Sequence, residues 1–272
     1  MNGIIWDVNP ILFQIGTWTV RWYGLLFALG FIFGIIIVTR MFKYDGVNRD
    51  WIDSLFLFVV IGTVIGARLG HVFFYDWAYY KENPSEILKV WHGGLASHGA
   101  AIGVILMLWI WSKKYSKKSI LWALDRVVVP VPLAGAFIRT GNLINSEIYG
   151  NPTSVPWAFV FIREDSIPRH PTQIYEALGY LMIFAVMIYL FWKTDARFRE
   201  GRIFGWFMLL VFGFRFFIEF LKADQVAFEA SMQLNMGQWL SLPLALIGLF
   251  FILWKPRGKA PATKPAQGGK RE

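Results

Sequence analysis

Apolar residues run through this chain in blocks of roughly 18 to 24, about the length a helix needs to cross a ~30 Å hydrocarbon core. Seven such blocks are legible, at 21–41, 52–74, 95–112, 119–138, 174–192, 203–221 and 238–254. Polar, proline-containing or charged segments separate them. The pattern predicts an all-α, polytopic membrane protein with seven transmembrane helices.

Which side each connection faces follows from its lysines and arginines. Arg40, Lys43 and Arg49 follow the first span. Lys113, Lys114, Lys117 and Lys118 follow the third, and Lys193, Arg197, Arg199 and Arg202 the fifth. Six more basic residues lie beyond Trp254. With seven spans, these four regions fall on one side. Cytoplasmic segments carry such an excess, so the N-terminus is predicted periplasmic and the C-terminus cytoplasmic. The longer connections, 75–94, 139–173 and 222–237, then face the periplasm. Residues 1–256 read as the membrane domain and 257–272 as a disordered, basic cytoplasmic tail. Within the first long connection, PSEILKVW (84–91) reads as a short amphipathic surface helix.

Composition narrows the chemistry. Of 272 residues, 56% are apolar and only 17% charged, so the net charge of +9 reflects sidedness more than a nucleic-acid partner. There is no cysteine, and the four histidines are scattered, so no metal site or thiol nucleophile is expected. No cleavable signal peptide is expected, because residues 1–20 lack a basic start and carry Asp7. Internal repeats, the mark of many transporters, are absent.

Ionisable residues inside spans are the clearest pointer to function, since each costs a few kcal/mol unless paired or hydrated. Arg68 and His71 share a face of the second span, Arg215 and Glu219 a face of the sixth. Arg139 stands at the outer end of the fourth. Each arginine taken singly could snorkel or pair structurally, and Asp125–Arg126 reads as a structural pair. Three arginines at similar depth in the outer leaflet point instead to an anion, and guanidinium donors match phosphate oxygens. The expected ligand is a phospholipid headgroup.

Two polar blocks accompany them. IRTGNLINSEIYG (138–150) ends the fourth span with Arg139, Gly141, Asn142, Asn145, Glu147 and Gly150. HGGLASHG (92–99) opens the third with Gly93, Gly94 and two histidines; His98 there is either structural or a general base.

The first block resembles the signature of the bacterial prolipoprotein diacylglyceryl transferases, G-R-x-G-N-[FL]-x-N-x-E-x-x-G, with Ile138 at its first position. RWYG (21–24), GARLGH (66–71), WHGGLASHGA (91–100), RHPTQIYE (169–176), FRFFIEF (214–220) and MGQWLS (236–241) extend the resemblance across nearly the whole chain. Val211 departs from it, standing where the family often has tyrosine.

The resemblance implies an inner-membrane enzyme facing the periplasm. It would transfer the diacylglyceryl group of phosphatidylglycerol to the lipobox cysteine of a preprolipoprotein signal peptide, forming a thioether and releasing glycerol 1-phosphate. It implies no cofactor. In that reading Arg139 and Arg215 hold the phosphate, and Asn142 and Asn145 order the glycerol. Glu219 orients Arg215 and Glu147 braces the polar segment, while His98 is the candidate base and Tyr23 a second polar partner. Gly141, Gly150, Arg68 and Gly94 complete the expected substrate-binding group.

The rival readings are a transporter and a non-catalytic phospholipid-binding protein. A transport path predicts polar residues through the full depth of several helices, whereas here they gather in the outer half. A rhomboid-type protease would need a GxSG serine, which the chain lacks, and the last span has no lysine for a retinal Schiff base.

Overall fold

A computed structural model describes residues 3–48, 50–223 and 232–254. The basic tail expected at 257–272 and part of the 222–237 connection lie outside the described residues. The described chain is mostly helical. Among the described residues five helical stretches are long and apolar enough to cross a membrane: Trp22–Tyr44 (α1), Asp50–Phe74 (α2), Thr172–Lys193 (α7), Met236–Leu253 (α9), and Arg202–Leu221, which is helix α8 (Arg202–Ile218) plus a 3-10 turn. Their apolar faces are largely open, with Phe33, Leu57, Met182 and Phe250 among the exposed side chains, as lipid-facing surfaces require.

The fourth expected span is broken. Ile120–Val127 (α5) and Val131–Asn145 (α6) meet at a 44° bend, and together they pass as one further crossing. Pro130 and Pro132 sit at the break, where each removes a backbone donor and its ring crowds the preceding turn. The helix restarts and runs on to Asn145, so Arg139 lies inside α6, six residues from its end, instead of at the rim. The third expected span is the shorter Ser97–Trp111 (α4), which widens into a π-helical turn at Ser112–Ser116.

The expectation of helices alone needs correcting. Residues before α1 form strands Ile4–Trp6 (β1), Ile11–Ile15 (β2) and Trp18–Arg21 (β3), and the 146–171 connection adds Phe159–Phe161 (β4) and Pro168–Arg169 (β5). β1 pairs parallel with β4, β4 antiparallel with β5, and β2 with β3 as a hairpin. Connections outside the apolar core can satisfy their backbone only with one another or with water, and these strands do so. The expected amphipathic helix at 84–91 is instead two 3-10 turns, Pro84–Leu88 and Val90–His92, preceded by the short helix Trp77–Glu82 (α3).

The chain divides into two compact units, Ile35–Arg126 and the remainder. In the first, α2 and α4 meet backbone to backbone along Gly62, Gly66 and Gly70 on one helix and Gly99 and Gly103 on the other. Close approach of this kind drives helix pairing in lipid, where no hydrophobic force acts between helices. Phe42, Trp51, Trp111 and Trp122 cluster at one end of this unit. There Arg126 pairs with Asp45 at 2.7 Å and stacks on Trp122 at 3.9 Å. Arg126 is thus engaged structurally, as the sequence suggests.

In the second unit α1 lies along α6, with Tyr23 over Gly141, Gly30 against Ala134 and Phe33 against Phe137. Leu143, Phe159 and Phe161 form a small core with Trp6, Tyr149 and Ile174, and Trp6 Nε1 donates to the Leu143 carbonyl at 2.8 Å. That core fixes the 146–171 segment on the end of α6.

Candidate active site

α6 ends at Ser146, whose backbone turns left-handed (φ 58°), and Ile148 repeats the excursion. The double turn folds Glu147 back on the helix. Its Oε1 accepts from Asn142 Nδ2 at 2.8 Å and Asn145 Nδ2 at 3.1 Å, and Asn142 Oδ1 accepts from Arg139 at 3.1 Å. Gln173 Nε2 donates to the Glu147 carbonyl at 2.8 Å. Four polar residues of the signature are therefore one hydrogen-bonded relay running from Arg139 to Glu147. Gly141 lets Tyr23 lie on this helix face: a β-carbon there would sit 2.8 Å from the tyrosine ring. Gly150 sits where three segments cross, since its β-carbon would meet Leu221, His170 and Thr172 at 2.6–2.7 Å.

A second chain of contacts leaves Arg139 through ion pairs. Its Nε lies 3.1 Å from Glu176 Oε2, and the other Glu176 oxygen is 3.8 Å from Lys222 Nζ. Lys222 then meets Glu219 Oε1 at 3.0 Å, and that oxygen lies 3.5 Å from Arg215 Nε. Arg139, Glu176, Lys222, Glu219 and Arg215 thus alternate in sign across α6, α7 and α8. Opposite charges in sequence lower the cost of desolvating each. Glu176 is wholly buried, whereas the Arg215 side chain is 39% exposed, so the arginine's outward edge is free to meet a ligand. Asn235 caps α9 through its carbonyl oxygen and gives its amide N–H to Glu219 Oε2 at 3.2 Å. Gly237 leaves the space that Glu219 fills.

Tyr180 completes this group. Its hydroxyl lies beside Arg139 within reach of a polar contact, and Arg215 is within its electrostatic reach. The ring is 92% buried, seated on Gly135 and edge-on to Phe214 at 5.8 Å.

Arg139, Gly141, Asn142, Asn145, Glu147, Gly150, Arg215, Glu219 and Tyr23 all fall within this unit. Arg68, Gly94 and His98 belong to the other and form a separate group. Arg68 is buried and donates to five backbone carbonyls, those of Glu86, Ile87, Lys89, Gly93 and Gly94, with its guanidinium over Tyr80 at 4.9 Å. Gly94 has φ 70°, and a β-carbon there would strike His71 at 2.6 Å. His71 stacks on Tyr75, and Tyr75 meets His98 at a tilt. His98 stands exposed in the first turn of α4, its ring in contact with Phe74 and Tyr75.

Sequence reasoning missed Glu176, Lys222, Gln173, Asn235 and Tyr180. The sequence signal for Glu176 was present, because it is the sole acid between Thr172 and Lys193. A lone carboxylate in an apolar helix calls for a buried cation.

Comparison with known proteins places the chain. The family model described as "Prolipoprotein diacylglyceryl transferase" matches residues 10–254. A protein of Porphyromonas gingivalis is 48% identical over 92% of this chain and 94% of its own length. One of Chloroherpeton thalassium is 45% identical over 92% and 93%, and one of Tolumonas auensis 44% over 94% and 99%. Each of these relatives is named phosphatidylglycerol--prolipoprotein diacylglyceryl transferase.

Proposed function

Because the chain belongs to the prolipoprotein diacylglyceryl transferase family, we propose a division of labour among its residues for that reaction. The protein is a transferase that moves a diacylglyceryl group from phosphatidylglycerol to a prolipoprotein. The acceptor is the thiol of a lipobox cysteine. Its sulfur bonds to the glyceryl carbon, the carbon–oxygen bond to phosphate breaks, and glycerol 1-phosphate leaves with the electron pair. The thiol proton passes to a base.

The alternating chain from Arg139 to Arg215 carries this reading. Two arginines on different helices are held by buried carboxylates, and fixed donors of this kind stabilise the charge that develops on a leaving phosphate. Arg139 and Arg215 take the phosphate, with Glu176, Glu219 and Lys222 setting their positions. The Asn142–Glu147 relay and Tyr23 line the place of the headgroup glycerol. Val211 brings no hydroxyl to the α8 face, and Tyr180 supplies one to Arg139 from α7. Arg68, spent on backbone carbonyls, shapes the 86–94 segment instead of touching phosphate. His98, in the other unit, keeps its candidacy as the base on the sequence alone, and an H98N variant that kept full transfer across pH 6–9 would remove it from that role.

Residues 1–256 act as the catalytic body, with seven crossings in the bacterial inner membrane and the reaction on the periplasmic face. The excess of basic residues in alternate connections supports this orientation. The seventh crossing is α4 continued by its π-turn, 97–116, which at helical rise spans about 30 Å.

The decisive experiment incubates purified protein with phosphatidylglycerol and a lipobox peptide and weighs the peptide by mass spectrometry. The expected result is one diacylglyceryl group on the cysteine, lost in R139A while the variant still inserts into the membrane. Near-normal transfer by R139A would overturn the phosphate assignment.

A further inference from the structure

At the far end of α4 from His98 the chain forms an open cavity of about 410 Å³ between the end of that helix and the start of α5. Lys113, Lys117 and Lys118 line it. Lys117 turns left-handed (φ 56°) and its ammonium donates to the Lys113 carbonyl at 2.8 Å. The lining includes Ser119 and Ile120, so the cavity opens on the N-terminus of α5, where Ser119 Oγ already accepts from the Trp122 N–H at 3.1 Å. The first N–H groups of a helix have no partner within it, and the helix dipole adds partial positive charge there.

Ser112 distinguishes this place from an ordinary basic loop. It lines the cavity, is only 3% exposed, and its Oγ is buried without a hydrogen-bond partner. A buried hydroxyl left unpaired is destabilising, and a ligand oxygen would give it a partner. Lysines that serve only to orient a membrane protein require neither a cavity nor a buried hydroxyl. Trp109, half exposed on the last turns of α4, adds an apolar wall beside the lysines. Tryptophan at such a level suits the boundary between headgroups and acyl chains, and lysines there attract anionic lipids.

We propose that this cavity seats the phosphate of an anionic phospholipid that is not the lipid consumed in the reaction. Lys113, Lys117 and Lys118 would supply the counter-charge, Ser112 a hydroxyl hydrogen bond, and Trp109 the contact with the glycerol ester region. A lipid so bound would tie the turn between α4 and α5 to one leaflet.

The test is native mass spectrometry of the delipidated full-length protein titrated with dioleoyl phosphatidic acid, with dioleoyl phosphatidylcholine as the neutral control. The wild type should hold one more phosphatidic acid than K113Q/K117Q/K118Q, with an apparent affinity for that lipid about tenfold higher, as charge-assisted contacts allow. S112A keeps every charge, and so the membrane orientation, and should weaken the same lipid severalfold. Inorganic phosphate at 10 mM should not displace it; full displacement would overturn the lipid assignment in favour of a free phosphate. Equal lipid counts in wild type and both variants would overturn the site altogether. Lipid counting needs no turnover, so its outcome is independent of the transfer assay.

Discussion

Arg215 and Lys222 share one oxygen: Glu219 Oε1 lies 3.5 Å from the first and 3.0 Å from the second. Lys222 carries the link onward to Glu176, and Glu176 carries it to Arg139. The two arginines assigned to the phosphate are therefore connected through two carboxylates and a lysine, and neither can move without disturbing the other.

E176A tests that linkage. Glu176 is wholly buried, and its loss leaves Lys222 and Arg139 short of a counter-charge. Breaking a buried pair from one side costs about 3–5 kcal/mol. A thermal unfolding scan should show a clear drop in midpoint, with transfer falling too. E176Q, which keeps the shape, should lose activity with a smaller loss of stability.

Y180F removes only the hydroxyl that reaches Arg139. A hydrogen bond to a charged group is worth about 1.5–3 kcal/mol, so kcat should fall about tenfold or more with little change in fold. V211Y in that background offers a hydroxyl from α8, four residues before Arg215. Partial recovery of kcat in the double variant would show that either helix can supply it. Unchanged kcat in Y180F would remove Tyr180 from the site.

G66V tests the seam between α2 and α4. A β-carbon at Gly66 would lie 2.9 Å from the α-carbon of Gly103 and closer still to the Gly99 carbonyl. Backbone cannot yield as a side chain can, so the cost should reach the upper end of the 1–3 kcal/mol typical of overpacking. Unfolding in detergent should occur at a markedly lower temperature, whereas G34A, at a position with open space, should behave as wild type.

Acid should loosen the segment between Gly150 and β5. The hydrogen bond from Arg169 holds the Asp165 carboxyl below the ordinary aspartate range. Its folded pKa is thus lowered, so its contribution is present above the unfolded value of about 3.9 and is lost as pH falls through the folded value. Hydrogen exchange of peptides covering 150–170, corrected for the intrinsic rate at each pH, should show protection falling below about pH 4 in wild type. D165N should exchange faster already at neutral pH and respond less to acid.

The membrane class was legible because a crossing helix must be apolar along its whole length, and α1, α2, α7, α8 and α9 follow the predicted blocks closely. The broken crossing was not read, although Pro130 and Pro132 marked it. A block average of hydropathy is blind to backbone donors. The strands flanking Phe159 were hidden for another reason: Ile4 pairs with Phe159 across more than half of the chain, and nothing local announces the partner. At the candidate site, Arg139, Asn142 and Glu147 stood out because they cluster in sequence. Lys222 stands in a polar connection, where a lysine is ordinarily a solvated surface base. Only the fold brings it to Glu176, which is how ion pairs between distant helices escape a linear reading.

The segment from Glu86 to Gly94 can be seen as a natural ionophore whose ion is covalently supplied. Its carbonyls turn inward on the Arg68 guanidinium as those of a cyclic peptide turn on potassium. The diameter of that ring is set by the cation it encloses, so lysine, smaller and with fewer donors, could not hold it to the same shape. The loop's conformation is thus encoded less in its own residues than in a side chain donated by α2.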